Sequence, residues 1–177
     1  MCDTGYSSNT FYMAVHALQT VQKIPVPLHQ AWDFFSSPDN LKIITPDHLG
    51  FKVLSQSPQP KMYAGQIIEY TVKPLLNIPM YWMTEITHVQ QQEFFVDEQR
   101  FGPYTMWHHQ HHFKAIEGGV EMTDLVHYKI PLGWLGDIAN TAFVKSQLQH
   151  IFSFRFKKVE ELFGGWPGQT PEVNFIK

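Results

Sequence analysis

Cysteine is nearly absent from this sequence, and so are long apolar runs. The one cysteine, Cys2, cannot form a disulfide within the chain, so the redox compartment is not constrained. No stretch approaches the roughly 18 apolar residues that a membrane-spanning helix needs, which excludes a membrane span. The first residues lack the basic segment and the continuous apolar core of a signal peptide. These absences predict a soluble, cytoplasmic protein.

Charge is also sparse. Charged residues make up 16% of the sequence and the net charge is −3 with neutral histidines, so there is no basic surface for a nucleic-acid backbone. Aromatic residues, by contrast, reach 15%, with 14 Phe, 7 Tyr and 5 Trp in a chain of 177 residues. A single domain of this length does not need so many for its core. The surplus predicts either an aromatic-lined cavity or a partner surface.

The first part of the chain predicts one strand and two short helices. Residues 1–11 are small and polar and are expected to form a flexible N-terminus. A strand is predicted for Tyr12–Ile24, ending at Pro25. The following sequence LHQAWDFF has its apolar residues at helical spacing, and Pro38 opens a second short helix.

The rest of the chain predicts an antiparallel sheet and one long helix. Six short strand-like segments are separated by proline and glycine turn signals, which is typical of a meander. A helical pattern then covers Ile138–Phe163 and ends at Gly164–Gly165. The predicted domain spans residues 12–163, and residues 164–177 remain an unassigned tail. These elements predict an α+β domain with one sheet and one helical layer.

The segment MWHHQHHF, residues 106–113, holds four of the ten histidines. Neighbouring side chains of a strand point to opposite faces, so the four histidines divide two and two. A two-residue hairpin turn at Gly118–Gly119 fixes the register of this strand against the next one. The predicted cross-strand pairs are Phe113 with Asp124, His111 with Val126, and His109 with Tyr128.

One face of this hairpin is mostly apolar and is predicted to point inward. It carries His109 and His111 beside Asp124 and Tyr128. The other face is mostly polar, and its histidines are predicted to be solvated. These outer histidines are His108, His112 and His127.

The preceding strand adds polar side chains to the same interior. If Phe95 faces inward, Asp97 and Gln99 do so too. A buried polar cluster of this kind needs mutual hydrogen bonds or a wet cavity. Two hypotheses remain open: a polar network that braces the sheet, or polar groups that orient a ligand in a mostly apolar pocket.

An H-x-H pair on a strand can also chelate a metal ion if a carboxylate supplies a third ligand. His109 and His111 have this spacing, but no H-E-x-x-H or C-x-x-C motif accompanies them. We therefore predict neither a metal nor another cofactor.

The long helix carries one arginine, Arg155, near the centre of its apolar stripe. An arginine there needs an acidic partner, or a cavity in which it meets an anionic or carbonyl-bearing ligand. The acidic candidates are Asp97, Asp124 and Glu69. Phe143 and Phe154, on the opposite side of the helix, could cover a homodimer interface or be exposed.

Three segments of the sequence resemble a bacterial branch of the START-like (SRPBCC) superfamily: FVDEQRFGPYTMWHHQHHF, MTDLVHYKIPLGWLG and QLQHIFSFRFKKVEELF. The shared pattern is D-x-Q…G-P…W-x-H-x-H-x-F, then T-D-x-V-x-Y…P-x-G, then I-F-x-x-R. Its positions are held by Asp97, Gln99, Gly102, Pro103, Trp107, His109, His111, Phe113, Asp124, Tyr128, Pro131, Gly133 and Arg155. The resemblance covers residues 12–163. It implies a helix-grip fold, in which a curved antiparallel sheet wraps around a long C-terminal helix and leaves a cavity between them.

The superfamily implies a range of functions and identifies none of them for this chain. Its members bind lipids, sterols, polyketides or plant hormones, and some are cyclases, dehydratases or co-chaperones. Related domains also occur fused to nucleotide-sugar-epimerase-like partners. None of these functions comes with a motif that transfers residue by residue.

Three functional hypotheses follow, of which ligand binding is favoured over catalysis. The first is a protein that binds a small apolar or amphipathic ligand, lipid-like or polyketide-like, in an internal cavity. Its predicted ligand-binding residues are Tyr70, Trp82, Asp97, Gln99, Trp107, His109, His111, Asp124, Tyr128 and Arg155. The second is a cyclase or dehydratase with an inward histidine as general base, for which the catalytic candidates are His109, His111 and Asp124. The third is a structural or protein-interaction module in which the polar cluster only braces the sheet.

Overall fold

The computed structural model describes residues 15–55, 59–75, 78–131 and 143–176. In chain order the elements are β1 (His16–Ile24), α1 (Leu28–Phe35), two 3₁₀ turns (Pro38–Lys42 and Asp47–Leu49), β2 (Lys52–Val53), β3 (Gln66–Leu75), β4 (Ile78–Gln90), β5 (Phe94–Phe101), β6 (Met106–Ile116), β7 (Gly119–Lys129), α2 (Lys145–Phe163) and β8 (Asn174–Ile176). The predicted flexible N-terminus at residues 1–11 lies outside the described residues. So does the predicted first turn of the long helix, residues 138–142.

The strands form one antiparallel sheet in the order β2-β3-β4-β5-β6-β7-β1-β8. Strands β2 to β7 follow one another in sequence, and β1 extends the sheet by pairing with β7. The β4–β5 pairing shifts register between Met83 and Thr84, and again between Ile86 and His88. Such irregularities bend a sheet and increase its twist. The α+β architecture, with a curved antiparallel sheet and a long C-terminal helix, is therefore confirmed.

The long helix α2 packs its apolar side against β1 and β7. Leu148 and Phe152 form one buried cluster with Leu18 and Val126 of these strands. The helix ends at Gly164, whose φ of 95° favours glycine. No helix within the described ranges has both the length and the apolar character that crossing a membrane requires.

The short helix α1 covers a second area of the same sheet face. Trp32 and Phe35 are buried there with Phe95 and Phe113. Trp32 meets Phe113 edge-on, with ring centroids 5.4 Å apart. This geometry is favourable for aromatic pairs and fixes the position of the helix on the sheet.

The hairpin between β6 and β7 turns earlier than the sequence suggested. The turn residues are Glu117 and Gly118, with a φ of 79° at Gly118, and Ile116 pairs with Gly119. The predicted turn at Gly118–Gly119 was wrong because Gly119 is already in the strand, where a Cβ would collide with the carbonyl oxygen of Ile24. The observed pairs are Phe113 with Met122, His111 with Asp124, His109 with Val126, and Trp107 with Tyr128. The pairing moved by two residues, so every side chain kept its predicted face.

The segment left as an unassigned tail contributes a strand to the sheet. Residues 174–176 form β8, and Ile176 pairs with Ala17 of β1. The side chain of Gln169 also accepts a hydrogen bond from the Lys23 backbone N–H at 2.6 Å and donates to the Lys23 carbonyl oxygen at 3.2 Å. The tail is thus attached to the β1 edge by backbone pairing and by one side chain.

Candidate functional site

A cavity of about 160 Å³ lies between the inner face of the sheet and the helical layer. Helix α2 borders it with Leu148, Ile151 and Phe152, and α1 borders it with Phe34 and Phe35. Aromatic side chains also reach it from the turns and strands. These are Phe51, Tyr70, Trp82, Tyr104 and Trp107. Most of the cavity wall is therefore ring surface and aliphatic side chain.

The polar atoms of the β3–β4 part of the wall bond to one another. The Trp82 indole N–H donates to the Thr84 hydroxyl at 3.0 Å, and the Tyr70 hydroxyl lies 3.0 Å from the same oxygen. Burial raises the pKa of the Tyr70 hydroxyl, and the nearby Asp97 carboxylate raises it further, so this tyrosine stays neutral. Because these groups satisfy each other, this side of the cavity behaves as an apolar surface.

Tyr104 is held in the wall by Gln99. The Gln99 side-chain amide donates to the Tyr104 carbonyl oxygen at 2.5 Å, and its oxygen accepts from the Tyr104 backbone N–H at 3.2 Å. Gln99 was predicted to bind ligand, but its amide is directed to this loop. Tyr104 was not among the predicted residues, and its position after the Gly102–Pro103 turn signal gives no indication of its direction.

The polar end of the cavity is a cluster of two histidines and two aspartates. The His109 Nε2 atom lies 2.9 Å from Asp124 Oδ1, and the His111 Nε2 atom lies 2.9 Å from Asp97 Oδ2. The other ring nitrogens also face carboxylates. His109 Nδ1 is 3.5 Å from Asp97 Oδ2, and His111 Nδ1 is 2.8 Å from Asp124 Oδ1 without the alignment of a hydrogen bond. Each imidazole thus lies between the two carboxylates.

The register of three neighbouring strands produces this arrangement. His109 on β6 lies opposite Asp97 on β5, and His111 lies opposite Asp124 on β7. Side chains directly opposite each other share a face and approach closely. An H-x-H pair on a central strand with one aspartate on each flanking strand therefore forms a compact four-residue cluster.

Aromatic rings pack around the cluster and bury both imidazoles. Phe95 stacks on His111 with centroids 4.1 Å apart and 19° between the ring planes. The centroids of His109 and His111 are 3.8 Å apart, and Phe152 of α2 meets His109 edge-on at 5.9 Å. The exposed fraction of the side chain is only 5% for His109 and 7% for His111.

Both carboxylates of the cluster are ionised. Burial alone would raise the pKa of Asp97 and of Asp124. The adjacent imidazoles and the Arg155 guanidinium outweigh burial, so the pKa of Asp97 is lowered and that of Asp124 falls well below its usual value. At neutral pH the cluster therefore contains two buried negative charges.

The pKa values of the two imidazoles are shifted in opposite directions. Burial, with His111 beside it, lowers the pKa of His109, and the carboxylates do not fully compensate. For His111 burial also opposes the charged form, but its contacts with Asp124 and Asp97 outweigh burial and raise its pKa. His109 is therefore the neutral member of the pair, and His111 accepts a proton more readily.

Arg155 reaches the same region from α2. Its Nη1 atom lies 3.6 Å from Asp124 Oδ1, so Asp124 is the nearest of the three acidic candidates named from the sequence to form an ion pair with it. The contact is longer than a hydrogen bond. Nε and Nη1 are buried and have no hydrogen-bond partner among the described residues. Arg155 is also one of the residues that line the cavity.

Two predicted ligand-binding residues, Tyr128 and Asp124, lie behind the cavity wall. Tyr128 is fully buried in the cluster under α2. Asp124 holds the imidazoles from the β7 side and accepts a weak hydrogen bond from the Thr20 hydroxyl at 3.4 Å. Thr84 was missed, although it shares the inward direction of Trp82, and extending the alternation along β4 would have found it.

The remaining histidines of β6 and β7 lie on the outer face, as predicted. His112 is exposed, while His108 and His127 are half-buried. The Nδ1 atom of His108 is 3.0 Å from Glu98 Oε1. The structure thus separates inner from outer histidines along one strand.

Comparison with known proteins identifies the fold. No protein-family model and no curated protein matches the sequence. Protein CV1439 from Chromobacterium violaceum matches the structure with a TM-score of 0.63 and 12% identity, over 85% of this chain and 98% of that one. Ara h 8.0201, which has a START-like fold, matches with a TM-score of 0.54 and 16% identity, over 84% of this chain and 97% of that one. This protein has a helix-grip fold.

A third match concerns part of a longer chain. The nucleoside-diphosphate sugar epimerase from Corynebacterium glutamicum matches with a TM-score of 0.56 and 18% identity, over 81% of this chain but only 28% of that one. At these identities the matches establish the helix-grip fold alone. The bacterial sequence pattern around His109 and His111 stays a prediction.

Proposed function

We propose that this helix-grip protein binds a compact, ring-bearing small molecule in its internal cavity. The ring lies against the aromatic wall, and an anionic or carbonyl group is directed to Arg155. One observation carries this proposal: a largely apolar cavity of about 160 Å³ is lined by Arg155, whose buried Nε and Nη1 atoms have no hydrogen-bond partner within the described part of the chain. Pockets with an apolar wall and a few converging polar groups are the usual form of small-molecule sites.

The aromatic wall favours a flat ligand. Trp82 and Trp107 are 5.5 Å apart and nearly perpendicular, at 86°, and Tyr104 meets Trp82 at 5.7 Å and 64°. Rings set at these angles offer both a face and an edge, which are the two favourable contacts for an aromatic guest. This supports an aromatic or short polyketide-like ligand.

The size of the cavity further limits which ligands can fit. An engineered protein cavity of about 150 Å³ accepts benzene, whereas drug-sized pockets measure roughly 300 to 1,000 Å³. At about 160 Å³ the present cavity encloses a small ring system. A sterol or a long acyl chain would have to extend outside it, so these ligands of the superfamily fit less well.

Three related probes test the proposal: naphthalene, acetylnaphthalene and naphthoate. Their binding is followed by quenching of tryptophan fluorescence, since Trp82 and Trp107 line the cavity. A hydrogen bond to a charged group contributes about 1.5 to 3 kcal/mol, so Arg155→Leu is expected to weaken the two oxygen-bearing probes about 10- to 100-fold. Naphthalene, which carries no acceptor, should bind both proteins equally.

The matched control is Arg100→Leu, because Arg100 is exposed on the outer face and pairs with Glu85. This variant should bind all three probes like the wild type. If Arg155→Leu and the wild type bind the oxygen-bearing probes equally, Arg155 does not orient the ligand. If no probe binds, and native mass spectrometry of protein purified from cells shows no bound molecule, the structural role of the polar cluster is supported instead.

A cyclase or dehydratase is the second candidate, and the His109–Asp124 pair favours it. Asp124 bonds Nε2 of His109 at 2.9 Å, and burial keeps the pKa of His109 low, so a neutral imidazole is available as a general base. Under this hypothesis His109→Ala abolishes turnover of a bound substrate and leaves its affinity nearly unchanged. Loss of affinity alone would leave only the binding function.

A further inference from the structure

The four ring nitrogens of His109 and His111 face two carboxylate oxygens, two nitrogens to each oxygen. His111 Nε2 and His109 Nδ1 converge on Asp97 Oδ2 at 2.9 and 3.5 Å. His109 Nε2 and His111 Nδ1 converge on Asp124 Oδ1 at 2.9 and 2.8 Å. Each imidazole thus has one nitrogen on the Asp97 side and one on the Asp124 side.

Protons alone do not satisfy this arrangement. A neutral imidazole carries one N–H, so the second nitrogen of each ring directs a lone pair at a carboxylate. Two fully protonated rings would satisfy the carboxylates but would place two positive charges in rings only 3.8 Å apart. Even with N–H groups on the other three ring nitrogens, the lone pair of His109 Nδ1 would face Asp97 Oδ2, 3.5 Å away. The Asp97 side of the cluster therefore lacks an electron-pair acceptor.

We propose that Asp97, His109 and His111 bind a divalent first-row transition metal ion, of the class of Zn²⁺ or Fe²⁺. The ligand atoms are Asp97 Oδ2, His109 Nδ1 and His111 Nε2. The ion takes the place of the proton on His111 Nε2, which is released to solvent, and accepts the lone pairs of both ring nitrogens. Metal binding does not depend on an organic ligand in the cavity and goes beyond the proposed binding function.

The distances fit such an ion. Ligand bonds of about 2.0 to 2.1 Å place neighbouring donor atoms about 2.8 to 3.4 Å apart in octahedral or tetrahedral geometry. Of the observed separations from Asp97 Oδ2, 2.9 Å lies within this range and 3.5 Å lies just above it. One donor atom from each of the three residues lies within 4.8 Å of the other two.

Asp124 then acts from behind the ligands. Metal-binding histidines usually donate their other ring N–H to a carboxylate, which fixes the ring and raises its basicity. Asp124 Oδ1 is hydrogen-bonded to His109 Nε2 at 2.9 Å and lies 2.8 Å from His111 Nδ1, whose ring must turn before this nitrogen can donate to it. Arg155, 3.6 Å from the same oxygen, balances its charge. Asp124 is therefore a positioning residue and not a ligand.

The site is open toward the cavity. Asp97, His109 and His111 all line the cavity, whereas Asp124 lies behind them on β7. Three protein ligands leave at least one coordination position for water or for an oxygen of a bound molecule, as in catalytic zinc sites. Two imidazoles and one carboxylate suit Zn²⁺ or Fe²⁺ better than Mg²⁺ or Ca²⁺, which prefer oxygen ligands alone.

Zinc titration of the full chain tests the site. Protein stripped with a chelator is titrated with Zn²⁺ alone against a chromogenic competitor. We expect one ion per chain at sub-micromolar affinity, binding abolished by His109→Ala or Asp97→Asn, and affinity lowered about 10- to 100-fold by Asp124→Asn. Circular dichroism and thermal unfolding of each variant show whether it is folded.

The outer face of the same strand provides matched controls. His108→Ala and His112→Ala remove imidazoles that point to the other side of β6, and both should bind Zn²⁺ like the wild type. Zinc that survives Asp97→Asn, or that is lost in His108→Ala, would show that Asp97, His109 and His111 do not together hold the ion and would overturn the proposal. X-ray absorption of the zinc-loaded wild type needs no variant, and a shell without two imidazole nitrogens would overturn it as well.

The same titration separates the site from general-base catalysis. His109 Nδ1 cannot bind a metal ion and accept a substrate proton at once. Failure to bind any of the naphthalene probes would leave metal binding intact, and failure to bind zinc would leave ligand binding intact. The two proposals therefore fail independently.

Discussion

Phe95 on β5 lies flat against His111 on β6, with ring centroids 4.1 Å apart and 19° between the ring planes. The two residues are directly paired across the strands. Phe95 also packs against Trp32 of α1, with centroids 6.0 Å apart. A single ring thus connects the helical layer to the polar cluster and fixes one side of its imidazole.

Because of these contacts, replacing Phe95 by alanine should lower the free energy of unfolding more than replacing any other aromatic residue of β5. Phe95 is 2% exposed, so Phe95→Ala is expected to lower the free energy of unfolding by about 3 to 5 kcal/mol. Phe101 on the same strand is 61% exposed, and its ring lies 5.6 Å from that of Tyr81 at the surface, so Phe101→Ala should cost less than about 1.5 kcal/mol. Urea unfolding measures both, and equal losses would contradict the packing described here.

Gly119 should not tolerate a larger residue. A Cβ there meets the Ile24 backbone of β1, and backbone cannot move aside as a side chain can. We expect Gly119→Ala to lower the free energy of unfolding by about 1 to 3 kcal/mol. Gly165→Ala is the control, because its Cβ would make only an ordinary contact with the Glu160 side chain. A change at Gly119 no larger than at Gly165 would argue against the close approach of β1 and β7.

Stability should fall in alkaline solution because two cavity tyrosines stay protonated in the folded chain. Burial raises the pKa of Tyr104 and of Tyr70 above the value of about 10 found in unfolded chains. Below about pH 10 both states keep these protons, so the contribution is constant. Above it the unfolded chain releases protons that the folded chain retains, and the free energy of unfolding declines.

Urea unfolding at increasing pH, with near-ultraviolet absorbance to detect phenolate, measures this decline. The double variant Tyr70→Phe/Tyr104→Phe removes both groups and should show a shallower fall. If the free energy of unfolding falls equally steeply with pH in the variant and the wild type, neither tyrosine is responsible for the loss of stability in alkaline solution.

Arg155 should contribute little to folding stability. Its contact with Asp124 is 3.6 Å long, and two of its buried nitrogens have no hydrogen-bond partner in the described ranges. Asp124 keeps its contacts with His109 and His111 when Arg155 is replaced, so its carboxylate is not left unpaired, and the desolvation cost of the poorly bonded guanidinium is removed. Arg155→Leu is therefore expected to unfold at an unchanged or higher urea concentration. A loss of about 3 to 5 kcal/mol would instead indicate an essential buried ion pair.

A leucine on the same helix provides a reference for the unfolding measurement of Arg155→Leu. Leu148, on the same helix, is 2% exposed, and Leu148→Ala should lower the free energy of unfolding by about 2 to 5 kcal/mol. If Leu148→Ala lowers the free energy of unfolding and Arg155→Leu does not, Arg155 is not needed for folding, which favours a role in ligand binding.

The alternation of side chains in β6 was sufficient to predict which histidines face inward. His109 and His111 are buried and His112 is exposed, because a period of two is a property of any strand. The register across the hairpin was harder to predict, since two adjacent glycines offered two turns. Only the position of Ile24 on a third strand distinguishes them.

The atomic contacts of the site were beyond sequence reasoning. The pattern put Asp97 and Asp124 on the inner face, but which ring nitrogen meets which oxygen depends on side-chain rotamers set by packing. Tyr104 reaches the cavity from a loop whose course is held by Gln99, and loops carry no periodicity. Strand β8 is only three residues long and pairs with a strand from the other end of the described chain, so no local pattern indicated it.

The pairing of β1 with β7 has a consequence for synthesis on the ribosome. His16 of β1 pairs with Tyr128 of β7. Strand β1, the first described strand to leave the exit tunnel, can therefore pair only after β7, one of the last, has been synthesised. At translation rates of about 5 to 20 residues per second the wait is on the order of ten seconds. During that time the apolar side of β1 is available to chaperones or to a neighbouring nascent chain, and the sheet can close only after most of the domain has emerged.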